Sequence, residues 1–156
     1  MWNQPTSRRP GADPGPEGRL RVMRILWAVF LTNVGLFVVV TRFVRADSGA
    51  ADAGVRDNPT LLYALAAAGL ASVALSFVLK AGFYGRGAER QEPAQVQTGF
   101  ILALALCEAA ALLGVVGLFV TWNDYAYLLF ALGALGMILH FPRREQVQAA
   151  YYKSTA

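Results

Sequence analysis

One carboxylate stands alone in an apolar run. It is Glu108, inside residues 102–117, LALALCEAAALLGVVG. The nearest charged residues are Glu92 and Asp124, and between residues 94 and 123 the only other ionisable side chain is Cys107. Removal from water favours the neutral form of a carboxyl group. An acid in hydrocarbon can therefore hold a proton and release it when water or a cation arrives. The chemistry expected of Glu108 is proton binding, with Asn33, Ser72 and Tyr125 as candidate polar contacts. The competing expectation is an acid that hydrogen-bonds a neighbouring helix and serves packing alone. Other chemistries lack their residues. His140 is the single histidine and Cys107 the single cysteine, so no metal cluster and no intrachain disulfide is expected. Gly85-Arg86-Gly87 lacks the Lys-Ser/Thr of a phosphate-binding loop. No Ser/His/Asp or Cys/His arrangement is read for nucleophilic catalysis. The expectation is no enzyme, no cofactor, no metal and no nucleic acid. His140 is read as a helix-end residue that suits the dipole there.

The elements that must hold Glu108 are membrane spans. Hydrophobic residues make up 56% of the 156, and charged residues 15%. Soluble domains average about 45–50% and about 25%. The apolar residues fall into four blocks, and nearly every charge lies between them. Spans are expected at about residues 22–44, 60–80, 96–121 and 122–141, within a transmembrane domain of residues 21–142. The first block has a charge-free core at residues 25–41, close to the lower limit for a span. A cleaved leader is its competing reading, with Ser48-Gly49-Ala50 as the cleavage site. Residues 1–20 are rich in Pro, Gly and charge and are expected to form a disordered tail. Residues 46–59 and 80–95 are expected to be polar loops, residues 122–124 a tight turn, and residues 143–156 a second tail. Glu108 then lies about 17 Å from one end of its span, near the middle of the bilayer. A charge there costs at least ~2.5–3.5 kcal/mol.

Small residues mark the helix contacts. On the third block Ala103, Cys107, Ala110, Gly114 and Gly117 recur every three or four residues and share one face. Glu108 stands beside that stripe. On the second block Ala64 and Ala68, Ala67 and Ala71, and Ser72 and Ser76 are each four apart, the spacing of a close helix contact in lipid. Of the basic residues, eleven fall in the N-terminal tail, the second loop and the C-terminal tail, and three in the remaining connections. The positive-inside rule then places both termini in the cytoplasm. The fold expected is all-α: four transmembrane helices in an antiparallel bundle. Twelve of the 14 basic residues are Arg, and with the abundant Ala and Gly this points to a bacterial inner membrane protein.

Residues 88–118 resemble the proteolipid, or c, subunits of rotary ATP synthases. Ala88-Glu89-Arg90-Gln91-Glu92-Pro93 is similar to that family's polar loop. Ala105-Leu106-Cys107-Glu108-Ala109, followed by Ala111 and Gly114, is similar to the segment around its ion-carrying acid. The likeness covers roughly residues 60–121. It implies that Glu108 carries an ion as part of a homo-oligomer or a larger membrane complex. Ala109 follows the acid where sodium-binding members have a polar residue, which favours a proton. The family has one hairpin, or two with the acid in the last helix, whereas four blocks are read here with the acid in the third. The alternative function is a structural or accessory subunit of a membrane complex.

Overall fold

The computed structural model describes residues 15–47 and 58–152. Its elements are α1 (Gly15–Asp47), α2 (Pro59–Arg90), α3 (Pro93–Thr121), a 3₁₀ turn (Asp124–Ala126), α4 (Tyr127–Leu139) and α5 (Arg144–Gln148). No strand occurs among the described residues. Helices α1, α2 and α3 are long and apolar enough to cross a membrane, and Asp124–Leu139 forms a shorter apolar helix. The expected cleavage site at residues 48–50 and the tail residues 1–14 and 153–156 lie outside the described residues.

The helices outrun the expected spans, and local contacts explain why. Residues 15–20, read as tail, open α1. Leu20 is buried, and Arg19 donates to Tyr151 Oη at 3.1 Å and Gln97 Oε1 at 3.0 Å. Residues 80–90, read as loop, continue α2, and the turn shrinks to Gln91 and Glu92. Of the glycines in that run Gly87 serves packing, as does Gly99 on α3. A Cβ on Gly99 would lie 2.4 Å from Phe83 Cβ, and one on Gly87 would lie 2.7 Å from Val96 Cγ2. Their absence lets the start of α3 close on the end of α2. The reversal itself falls on Gln91, in the left-handed region at φ 54°, and Glu92 N–H donates to Gly87 O at 2.9 Å. Pro93 then begins α3, where its missing N–H costs nothing. In the C-terminal tail α5 folds back, and Val147 and Ala150 are buried.

Helix α3 is the centre of the bundle. It packs on α2 along their common length, on α4, and on α1. Helix α1 rests on α3 and α4 and makes little contact with α2. Ala103, Cys107, Ala110, Gly114 and Gly117 are all buried, so the small-residue stripe of α3 is the seam. On α2 the expected face is displaced. Ala64, Ala67, Ala68 and Ala71 are exposed, while Leu62, Gly69, Val73, Ser76 and Lys80 turn inward. The alanine spacing was real, but Gly69 and Val73 give α3 and Leu129 a better-shaped face.

Helix α4 approaches α3 most closely at Gly133. A Cβ there would lie 2.6 Å from Cys107 O. A backbone atom cannot rotate aside, so Gly133→Ala should lower stability by ~1–3 kcal/mol. Gly82 and Gly85 have nothing within 4 Å of a built Cβ. Their replacement by Ala should be neutral or should stabilise by up to ~1 kcal/mol. Thermal unfolding of the purified variants in detergent checks both; equal melting temperatures for all three would refute the close approach.

Candidate functional site

Glu108 lies midway along α3, half-buried, one position round from the sealed Cys107. Helix α1 passes over that side of α3, and Asn33 Nδ2 donates a hydrogen bond to Glu108 Oε1. The pair lines a groove of about 660 Å³ whose apolar lining includes Ile25, Val29 and Leu36 on α1. These residues recur at helical spacing, so one stripe of α1 forms the wall. Trp27 fixes the helix behind it: its Nε1 donates to Met137 O at 2.8 Å, and its ring meets Phe141 edge-on at 5.2 Å. The acid is thus held by a helix tied to α4, while its own side of the seam stays open.

The other two predicted contacts lie elsewhere. Ser72 Oγ donates to Ala68 O at 2.9 Å, within α2. Tyr125 is 72% exposed at the turn between α3 and α4, where its N–H donates to Asn123 Oδ1 at 2.9 Å. Of the three candidates, Asn33 alone meets Glu108. That turn is pinned from α1 by Arg45, which donates to Trp122 O at 2.9 Å and pairs with the exposed Asp124 at 2.6 Å.

A second polar centre was not anticipated. Ser76, Cys107 and His140 come together on the far side of α3. Ser76 Oγ lies 2.8 Å from His140 Nε2 and donates to Val73 O at 2.6 Å. Cys107 Sγ donates to Ser76 Oγ at 3.6 Å, and Lys80 Nζ to His140 O at 3.4 Å. His140 caps the C-terminus of α4, as read, but its ring points inward against Phe77 at 4.3 Å. Ser76, Cys107 and His140 are each at most 1% exposed. A serine, a thiol and an imidazole therefore do meet, but no substrate can reach them and no acid orients the ring. The cluster is a bolt between three helices. The signal that could have found it is the pair Ser76 and Lys80, polar residues four apart on one face of an apolar helix. Among the described residues, no three His, Cys, Asp or Glu side chains gather to hold a metal.

Among the described residues the architecture is helical, with three helices long and apolar enough to cross a membrane, in keeping with a multi-pass membrane protein. No family model matches the chain, and no curated protein or solved structure is similar to it.

Breaking the bolt should be costly. Ser76→Val leaves His140 Nε2 buried without its partner, a loss of ~1–3 kcal/mol. The measurement is thermal unfolding in detergent, with helical circular dichroism at low temperature as the control. An unchanged midpoint would show that the contact contributes nothing.

Proposed function

We propose that this chain is a multi-pass membrane subunit that binds and releases a proton at Glu108, in the manner of a proteolipid. It acts within a homo-oligomer or a larger membrane complex and is no enzyme by itself. The observation that carries the reading is the setting of Glu108: a carboxyl group midway along a membrane helix, half-buried, lining a groove, partnered by an amide. An amide suits proton exchange. Its Nδ2 donates to a carboxylate, and its Oδ1 accepts from a protonated carboxyl. Asn33 can thus serve both states by turning over. Charged residues within membrane helices are costly, and a lone acid there is the first place to look for function.

The helix Asp124–Leu139 supplies the fourth span, and its shortness is met at its start by Trp122. The excess of basic residues in the two tails and around the α2–α3 turn supports a reading with both termini in the cytoplasm of a bacterial cell. The exposed alanines of α2 offer a neighbouring copy or subunit a surface for close approach. The Asn33 contact also favours a second reading. It joins α1 to α3, as a purely structural or accessory subunit would require. Interhelical hydrogen bonds of this kind contribute about 0.6 kcal/mol on average.

Glu108→Gln separates the two. Gln keeps hydrogen-bonding capacity toward Asn33 but cannot ionise. In vesicles the wild type should react with a hydrophobic carbodiimide at Glu108, faster as pH falls, and the E108Q variant should not. Any proton flux through the reconstituted assembly should vanish in E108Q, while its unfolding free energy stays within about 0.5 kcal/mol of wild type, the usual range of a mild change. Poor assembly of E108Q with its flux unchanged, and no labelling of the wild type at any pH, would leave the structural reading.

A further inference from the structure

The groove beside Glu108 does not begin there. Its stripe on α1 runs back through Ile25 and Ala28 to Arg24 and Arg21. Residues 21, 25, 28, 32 and 36 recur at three and four, so cationic end and apolar wall share one face. Both arginines are exposed. Among the described residues neither forms an ion pair. Glu17, one turn earlier, is itself engaged by Arg144 at 2.5 Å. Arg24 is held at the edge of the apolar zone, its guanidinium 5.9 Å from the Phe141 ring centroid. Two guanidinium groups with a long apolar channel below them describe the shape of one molecule class. It has an anionic head and a hydrocarbon chain.

We propose that this face of α1 binds an anionic phospholipid, its phosphate on Arg21 and Arg24 and one acyl chain in the groove, reaching as far as Asn33 and Glu108. The lengths agree. Arg24 and Asn33 are nine residues apart, about 13 Å at the helical rise. One leaflet of hydrocarbon is about 15 Å deep. Ala28 and Thr32 make the middle of the stripe shallow, and Ile25, Val29 and Leu36 rise around it, so a chain lies closer to the helix there than on a smooth face. Arginine donates two parallel hydrogen bonds to phosphate oxygens, which favours it over lysine at such a site. The site stands whether or not Glu108 exchanges a proton, since it needs only the groove and the two cations.

The test is photolabelling of the full chain in phosphatidylcholine vesicles. The probe is phosphatidylglycerol with a photoreactive group midway along one acyl chain; the same chain on phosphatidylcholine is the comparison. Mass spectrometry should find label on residues 25–36, with the anionic probe favoured on the order of tenfold, as two cations at the membrane surface warrant. R21Q/R24Q should remove that preference, and Ala28→Trp, which fills the channel, should remove the label itself. Equal labelling by the two probes in the wild type would overturn the proposal without recourse to any variant. So would an unlabelled stripe in a chain whose Ala28→Cys form cross-links to a second copy, which would assign the face to a dimer.

Discussion

The bundle depends on how closely two backbones can approach α3. In lipid, apolar side chains gain nothing from leaving their solvent, so helices associate through packing and hydrogen bonds. Close packing needs small residues on both sides of a contact. Gly133 meets the backbone of α3 at Cys107, and Gly114 and Gly117 receive Leu129 and Ala126. Gly99 and Gly87 do the same for the end of α2. Once α2 and α4 are drawn onto α3 in this way, Ser76 and His140 are brought within hydrogen-bond reach, and the polar bolt follows from the packing rather than causing it. Helix α1 is attached differently. It carries bulky residues, touches α2 little, and is held by particular contacts: Trp27 on Met137 O, Arg19 on Gln97 and Tyr151, Arg45 on Trp122 O, and Asn33 on Glu108.

Much of this was legible in the residues because membrane packing writes a simple code. The buried stripe of α3 follows from its spacing of small residues alone, and Asn33, the one amide in the middle of α1, is the residue that finds Glu108. Two kinds of information were not legible. Glycine has two uses, in turns and at close contacts, and composition does not separate them. The run from Lys80 to Arg90 therefore looked like a loop and is helix. The alanines of α2 satisfied a packing pattern on the face that ended outside. Spacing says which residues share a face but not which face a partner prefers. The meeting of Ser76, Cys107 and His140 was hidden for a further reason. It joins three helices, and its members are too ordinary singly to announce a site.

Cys107 and Glu108 are neighbours in sequence yet belong to different environments, and the geometry of one helix accounts for it. Successive residues turn by about 100°. Cys107 therefore faces the seam, where Gly136 and Ser76 close over it. Glu108 faces the side covered only by α1. A seam formed by glycine and alanine leaves no room for a long acid, so a carboxylate on this helix could stand only beside it. The helix that covers that side packs by side chains of mixed size, and such a surface leaves channels where Ala28 and Thr32 fall between larger neighbours. Tight closure on one side of α3 and a groove on the other are thus consequences of the same sequence. The side that can be reached is the side that holds the acid.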